Sequence, residues 1–296
     1  MNADLNVRSD FVYMVPPFIA YYGMITQNMT MLNEAYNQIK LYRNYLHDTN
    51  KTANNLWKHI VLGNDTLDPG HWSTGNGWVA AGMLRVLGTI KYSQYANRMK
   101  NQQTDLTNWI KEVQDGMYHF VVRVVGLPRS DLANMTYCQR DDGLFYNYAD
   151  DNSTFIDASS AALMASTVYR MSLITNTHTH LPNAEKSRKA LSSPSSNSTA
   201  SNSSSLENMA HFTSDGWLTP VVNPDSFGDE GEHSPEGQAF VVEMHAAWRD
   251  WVENGSVGAN GSNKSAEAPS KIQLGILGVF ISSIITGLFG TSDDSS

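Results

Sequence analysis

Two tryptophans bracket a short polar stretch in the segment PGHWSTGNGW, which spans residues 69–78. Trp72 and Trp78 stand six residues apart around Ser-Thr-Gly-Asn-Gly, and His71 precedes the first of them. Turns rich in glycine and asparagine commonly connect helices, but two large, rigid aromatic side chains around such a turn are typical of the lip of a binding cleft. The alternative interpretation is that both tryptophans are core residues that hold a helical hairpin together.

Helical periodicity on both sides of this stretch indicates the elements that must position it. One apolar face predicts a helix over about 29–46, and a second begins directly after the tryptophan pair, over 79–90. The most regular apolar stripe runs over 106–124. Residues 157–173 are small and apolar on nearly all sides, which is typical of an inner helix buried on several faces.

The last predicted helix has a clear start signal. Ser234 is a good N-cap, Pro235 suits the first turn, and one apolar face follows from Phe240 to Trp251. Strand-like alternation is scarce, apart from short pieces such as LFYNY at 144–148. The alternation of inner, apolar helices with outer, amphipathic ones predicts an all-α fold of antiparallel hairpins around an axis.

Composition narrows the class of protein. The chain has 296 residues, 41% of them hydrophobic, so a large core is possible. Its formal net charge is −9, which argues against nucleic acid as a partner, since such binders need a basic face. The single cysteine, Cys138, excludes an intrachain disulfide and a thiolate metal cluster, and it is interpreted as a packed apolar residue.

Acceptor sequences for N-glycosylation are far more frequent than composition predicts. Their excess favours the secretory route. The N-terminus, however, has neither a basic region nor an apolar core, so it does not resemble a signal peptide. The sequons begin at Asn28, Asn50, Asn64, Asn134, Asn152, Asn197, Asn202, Asn254, Asn260 and Asn263.

The C-terminal region predicts membrane attachment. Residues 272–290 carry no charge and are just long enough to span a bilayer. A small, polar segment at 254–271 precedes them, in the order expected of a glycosylphosphatidylinositol signal, and a retained transmembrane helix is the alternative. The folded domain is therefore predicted over 1–253, with a flexible polar loop at 192–205. The predicted location is extracellular, at the cell surface.

Four stretches carry a resemblance to a known family. They are SDFVYMVPPFIAYYG at 9–23, LWKHIV at 56–61, HWSTGNGWVAAGMLRVL at 71–87 and SPEGQAFVVEMHAAW at 234–248. In this order they resemble fungal members of the unsaturated rhamnogalacturonyl hydrolases, glycoside hydrolase family 105, which are akin to the unsaturated glucuronyl hydrolases of family 88. The resemblance implies an (α/α)6 barrel of six hairpins. Only about four are evident, so the resemblance predicts an incomplete barrel whose N-terminal hairpins are missing.

The resemblance also implies a reaction and its residues. Family members hydrate the C4=C5 double bond of an unsaturated uronic acid at the end of a pectin-derived oligosaccharide, and one aspartate delivers and accepts the proton. Asp10 matches that residue, although Ser9 or Asp10 alternatively caps the next helix. His59 matches a histidine of the family cleft, with a purely structural role as its alternative.

Substrate contacts are expected from the tryptophan segment. The candidates are His71, Trp72, Thr74, Asn76 and Trp78. Thr74 stands where the family commonly has an arginine that meets the substrate carboxylate, and the second aspartate of the family site has no counterpart. His71 or Arg85 is therefore considered as a replacement cation.

No cofactor and no metal are predicted. The acidic run GDEGEH at 228–233 fits no standard metal spacing and is interpreted as a solvated loop, and phosphate-binding and nucleophile-elbow motifs are absent from the sequence. Two functional classes remain open: a glycosidase acting on unsaturated uronyl oligosaccharides, and a non-catalytic cell-wall or glycan-binding protein with a degenerate barrel. A helical-barrel glycosidase with another substrate, such as a mannan, is a weaker third.

Overall fold

The computed structural model describes residues 6–63, 66–118, 138–194 and 209–263, and helices dominate these ranges. Strands occur as three short antiparallel pairs: β1 (Val7–Arg8) with β2 (Ile60–Val61), β3 (Phe145–Tyr148) with β4 (Asp151–Asp157), and β5 (Val221–Asn223) with β6 (Ser226–Gly231). The α-helices are α1 (Phe11–Met14), α2 (Pro16–Ile25), α3 (Met29–Leu46), α4 (Ser73–Tyr92), α5 (Lys100–Met117), α6 (Ala158–Thr175), α7 (Leu181–Leu191) and α8 (Pro235–Glu253).

The helices pair in chain order. α2 packs on α3, α4 on α5, and α6 on α7, while α4 and α6 also pack on each other and α8 packs on α6. α4 and α6 are buried around nearly their whole circumference, whereas α3, α5 and α7 bury one face only. These are the inner and outer layers of an incomplete (α/α)6 barrel, and the predicted all-α fold class is confirmed.

Local signals place the helix boundaries where the sequence predicts them. The helix predicted over 29–46 is α3, and the Asn28 side chain caps it by accepting a hydrogen bond from the Thr30 backbone N–H at 3.0 Å. Ser234 caps α8 in the same way through the Gly237 N–H at 3.0 Å. The predicted strand at 144–148 is β3, and the inner helix predicted over 157–173 is α6.

The polar stretch between the two tryptophans is helix rather than turn, so the sequence interpretation of this stretch was wrong. α4 begins at Ser73 and continues without interruption through both glycines. The reason is tertiary: a Cβ at Gly75 would lie 2.5 Å from Ser9 Oγ, and one at Gly77 would lie 2.9 Å from Leu163 Cδ2. Close helix packing that only glycine permits outweighs the low helix propensity of glycine.

Several predictions fall outside the described residues. They concern the end of the apolar stripe at 119–124, most of the polar loop at 192–205, the later part of the 254–271 linker and the apolar segment at 272–290. The beginning of that linker, 254–263, is described and is attached to the domain, since the Asn263 side chain accepts a hydrogen bond from the His178 backbone N–H at 2.7 Å. Among the described helices, none is long and apolar enough to cross a membrane.

Candidate active site

Asp10 lies immediately before α1, at the point where β1 ends. Its backbone is already in the right-handed helical region, and its side chain makes no capping hydrogen bond. Its Oδ1 lies 3.3 Å from Arg8 Nε, and the side chain is 24% exposed. Nearby, burial and then the negative charge of Asp10 raise the pKa of Tyr42 on α3. Asp10 is therefore a partly buried carboxyl beside an aromatic ring, without a helix-capping bond.

His59 is fully buried and held in one orientation. Its Nδ1 lies 2.8 Å from Asp68 Oδ2, and Asp68 also accepts hydrogen bonds from the Gly70 N–H at 3.0 Å and from the Tyr148 hydroxyl. Burial alone would raise the pKa of Asp68, but these hydrogen bonds outweigh it and lower that pKa. The ionised carboxylate can only accept, so Nδ1 of His59 carries a proton. In the neutral ring, Nε2 is then an acceptor, and it has no partner among the described residues.

The segments that carry Asp10, His59 and Trp72 meet in the structure. The Ser9 backbone N–H donates to the His59 carbonyl at 2.9 Å, which joins the start of α1 to β2. The rings of His59 and Trp72 are 4.5 Å apart. Gly75, in the first turn of α4, lies against both Ser9 Oγ and the Trp72 ring. Three distant stretches of sequence therefore form one cluster at the N-terminal end of α4.

The β5–β6 hairpin covers this cluster. Phe227 meets the His59 ring edge-on at 4.4 Å, and its carbonyl accepts a hydrogen bond from Asn147 Nδ2 at 2.8 Å. Asn147 in turn accepts from Trp72 Nε1 at 3.0 Å. In this conformation His59 is therefore fully buried, Trp72 is 8% exposed, and Phe227 packs against both rings.

Trp78 lies in a different environment from Trp72. Its ring packs 4.4 Å from Tyr13 and 4.7 Å from Phe240, between α1 and α8. Because the intervening residues are helical, the two tryptophans are separated along and around α4 rather than placed across a turn. Binding of a ligand by both remains a prediction.

Thr74 and Asn76 use their polar groups within the protein. Thr74 Oγ1 donates to Asp157 Oδ2 at 2.6 Å. The Asn76 side chain accepts from the Trp57 N–H at 2.8 Å and donates to the Trp57 carbonyl at 3.0 Å. Both side chains are buried, so these hydrogen bonds hold the neighbouring backbone and core residues in place. Contact between either side chain and a substrate also remains a prediction.

Arg85 does not occupy the position of the family arginine. It lies three helical turns beyond Thr74, about 16 Å along the axis at about 1.5 Å per residue. There its guanidinium pairs with Glu243 at 2.8 Å and stacks over the Tyr13 ring at 4.6 Å.

His71 points into a separate polar cavity of about 260 Å³ that Asn50, Thr52 and Cys138 also line. Its Nδ1 lies 2.7 Å from Asp150 Oδ2, and its Nε2 lies 3.5 Å from Asp48 Oδ2. Burial lowers the pKa of His71, but the hydrogen bond with Asp150 and the negative charges of Asp150 and Asp48 outweigh burial and raise it. The Lys58 ammonium lies 3.6 Å from Asp48, the more distant of the two carboxylates around His71.

Replacement of His71 by asparagine should lower the free energy of unfolding more in acid than in base. Folding raises the pKa of His71. The protonated ring therefore stabilises the fold fully at pH values below the unfolded pKa of about 6.5, and this stabilisation is lost as the pH rises through the folded pKa. We expect a loss of about 1.5–3 kcal/mol at pH 5.5, the range for hydrogen bonds to charged groups, and a smaller loss at pH 8.5. Urea unfolding at both pH values measures it.

His178 provides the matched control. It is also buried and bonds Ser172 Oγ at 2.8 Å, but burial lowers its pKa, so its contribution is lost as the pH falls. His178→Asn should therefore cost less at pH 5.5 than at pH 8.5. Equal losses at both pH values for His71→Asn would contradict the assignment.

Three residues of the cluster escaped sequence reasoning: Asp68, Tyr148 and Phe227. Asp68 precedes a Pro-Gly pair, which predicts only a turn, and the other two are aromatics in short strands. These three residues come together only in the folded structure, so no local sequence pattern marks them. Among the described residues, no group of three or more His, Cys, Asp or Glu side chains is arranged to hold a metal ion.

The helices form the inner and outer layers of an incomplete (α/α)6 barrel, and the segments that carry Asp10, His59 and Trp72 meet near the N-terminal end of the inner helix α4. The sequence profile of Glycosyl Hydrolase Family 88 matches residues 8–126. Together with the structural similarity described next, this match shows that the chain has the fold of glycoside hydrolase families 88 and 105.

Several solved structures with this fold align with most of this chain. A possible member of family GH105 from Salmonella enterica superposes with a TM-score of 0.62 at 17% identity, covering 83% of this chain and 57% of that one. A family 88 glycosyl hydrolase from Bacteroides vulgatus gives 0.57 at 14% identity over 83% and 63%.

An unsaturated glucuronyl hydrolase from Bacillus sp. GL1, responsible for the degradation of glycosaminoglycan, gives a TM-score of 0.53 at 14% identity over 88% and 62%. This chain thus spans less than two thirds of the length of each of these structures. No curated protein matches it.

Proposed function

We propose that this protein is a glycoside hydrolase that removes a terminal unsaturated uronyl residue from an oligosaccharide. The proposal rests on one observation. The segments that contain Asp10, His59 and Trp72 meet at one end of α4, within the fold of families 88 and 105. An unsaturated glucuronyl hydrolase is among the proteins with this fold.

The proposed reaction is hydration of the C4=C5 double bond. Asp10, in its protonated form, donates a proton to C4, and positive charge develops at C5 and the ring oxygen. Water adds to C5 and returns a proton to the Asp10 carboxylate, so the carboxyl acts first as acid and then as base. The resulting hemiketal opens and releases the remaining sugar.

His59 has a supporting role in this scheme. Asp68 fixes its ring, so the unpaired Nε2 is available to accept a hydrogen bond from a sugar hydroxyl or from the attacking water. Trp72 beside it offers an aromatic face to a sugar ring. Both require the β5–β6 hairpin to lift Phe227 from the cluster.

We further propose rhamnogalacturonan-type oligosaccharides as the substrate class, on the motif resemblance. Thr74 cannot pair with the substrate carboxylate as an arginine would, because it is buried and bonded to Asp157. Arg8 is a better candidate, since its side chain is 41% exposed and its guanidinium lies beside Asp10.

A second candidate function is glycan binding without catalysis. It is favoured by Thr74, which stands where the resembled family commonly has an arginine and is bonded to Asp157. It predicts binding of the same oligosaccharides with no chemical change.

One assay separates the two functions. The full chain is incubated with unsaturated oligosaccharides prepared from rhamnogalacturonan and, separately, from a glycosaminoglycan, and loss of the double-bond absorbance is followed. Turnover of the rhamnogalacturonan products is expected, with saturated oligosaccharides of the same length as the control. Calorimetric binding without any absorbance loss would replace the hydrolase proposal by the second candidate, and neither binding nor turnover would reject both.

We propose the cell surface as the location, with 272–290 as the membrane or lipid-anchor segment. The sequon asparagines Asn28, Asn50, Asn152 and Asn260 are exposed, as N-glycosylation requires. A protein from its natural host that does not change mobility after enzymatic removal of N-glycans would contradict this location.

A further inference from the structure

The polar cavity beside His71 is separate from the cluster at the N-terminal end of α4. Trp72 forms an antiparallel bridge with Tyr148, and its backbone is extended, with φ −58° and ψ 123°. His71 belongs to the same ribbon, since its carbonyl accepts a hydrogen bond from the Ala149 N–H at 2.9 Å. Successive side chains of an extended ribbon point to opposite sides. Trp72 therefore faces His59, whereas His71 faces the cavity.

One buried polar atom of His71 is left without a partner. The residue is only 8% exposed, and its Nδ1 bonds Asp150 at 2.7 Å. Its Nε2 makes no hydrogen bond with any described residue, although Asp48 Oδ2 lies 3.5 Å away. Buried polar groups nearly always have a hydrogen-bond partner. A hydroxyl group in the cavity can serve both residues, because it accepts from the imidazole N–H and donates to the carboxylate.

The charges around the cavity are balanced. The carboxylates of Asp48 and Asp150 face two cations, the protonated His71 ring and the Lys58 ammonium beside Asp48. Burial alone would raise the pKa of Asp48, but the Asn50 backbone N–H and the positive charges of Lys58 and His71 outweigh burial and lower it. A charged ligand would add an unpaired charge to this partly buried site, which is costly. The charge balance therefore favours a neutral ligand that is rich in hydroxyl groups.

The size and the walls of the cavity suit a sugar ring. Its volume of about 260 Å³ has room for one pyranose, and Leu56 offers an apolar wall to the C–H face of such a ring. Asn50 and Thr52 are exposed at the rim, so the cavity leads from the surface to the buried pair of His71 and Asp48. We propose that this cavity binds one neutral sugar residue, whose hydroxyl groups bond His71 and Asp48. This second carbohydrate site goes beyond the proposed hydrolase activity, because binding there requires no turnover.

The test is the binding of D-galactose to the full chain, followed by ligand-observed NMR titration in a detergent without a sugar head group. Galactose should bind in a saturable manner. D-Galactosamine at a pH where its amine is protonated is the matched probe, since it has the same ring with an ammonium in place of one hydroxyl. It should bind at least about tenfold more weakly, because it brings an uncompensated charge.

Two substitutions locate the bound sugar. Asp48→Asn should weaken galactose binding at least about tenfold, as expected when a hydrogen bond to a charged group is lost. Thr52→Phe places a large side chain at the exposed rim and should abolish binding by filling the entrance. Its circular dichroism should match that of the wild type, because Thr52 is exposed and its side chain holds no buried contact. It therefore tests the site even where Asp48→Asn lowers stability.

Asp115→Asn is the matched control. Asp115 also pairs with a histidine, since its Oδ1 lies 2.6 Å from His180 Nε2, but this pair lines a different cavity. The substitution should leave the affinity for galactose unchanged.

Three results would overturn the proposal. They are a wild type that does not bind galactose, galactose binding that survives both cavity substitutions, and tighter binding of protonated galactosamine than of galactose. Failure of the hydrolase proposal looks different: galactose would bind in a manner that depends on Asp48, while unsaturated oligosaccharides would not be turned over.

Discussion

Asp10→Asn should abolish release of the unsaturated sugar while leaving the fold unchanged. An amide cannot donate and recover the proton that hydration of the double bond needs, and loss of a positioned acid–base group typically costs about 10²–10⁴-fold in rate. The effect on kcat should therefore be a fall of at least about 10²-fold, with KM little changed, because the substitution is nearly isosteric. Absorbance of the double bond provides the measurement.

The structure makes this variant a clean test. The Asp10 side chain makes no capping hydrogen bond, and its contact with Arg8 is a partly exposed pair at 3.3 Å, which contributes little to stability. The melting temperature should therefore stay within about one degree of the wild type. Asp141→Asn, a change of the same chemistry at an exposed position, is the control and should keep full activity. Full activity in Asp10→Asn would end the catalytic assignment of Asp10.

Asp157→Ala should be the most destabilising substitution of a polar residue proposed for this protein. Asp157 is fully buried at the start of α6, where its carboxylate accepts hydrogen bonds from several groups at once. The donors are the Ser159 N–H (3.1 Å) and hydroxyl (2.5 Å), the Ser160 N–H (3.2 Å), the Thr74 hydroxyl (2.6 Å) and the Val222 N–H (3.3 Å). Removal of the carboxylate loses the helix cap and leaves buried donors without partners.

The expected loss in the free energy of unfolding is about 3–5 kcal/mol, from a cap of about 1 kcal/mol and about 1–3 kcal/mol for each unsatisfied buried group. Urea denaturation measures it. Thr74→Val removes only one of the donors and should cost about 1 kcal/mol, while Asp225→Ala, at an exposed position between β5 and β6, should change stability by less than about 0.5 kcal/mol. A similar small loss for Asp157→Ala would show that the carboxylate is not the centre of this network.

The sequence by itself determined the parts of the fold that depend on local pattern. The apolar face of α3, the nearly uniform burial of α6 and the start of α8 at Ser234 all follow from periodicity and capping, because these signals act over one or two helical turns. The family resemblance of four short motifs also predicted the (α/α)6 barrel. It also marked Asp10, His59 and Trp72, whose segments the structure brings together.

Only the tertiary structure decided what those residues touch. The glycines between Trp72 and Trp78 predict a turn locally, yet they are helical because Ser9 and Leu163 pack where a Cβ would be. His59 is oriented by Asp68, and Thr74 is held by Asp157, 83 positions away in sequence. The physical reason is one of range. Periodicity records which face of a helix meets the core, whereas a buried hydrogen bond or a ring contact depends on where distant segments end in space.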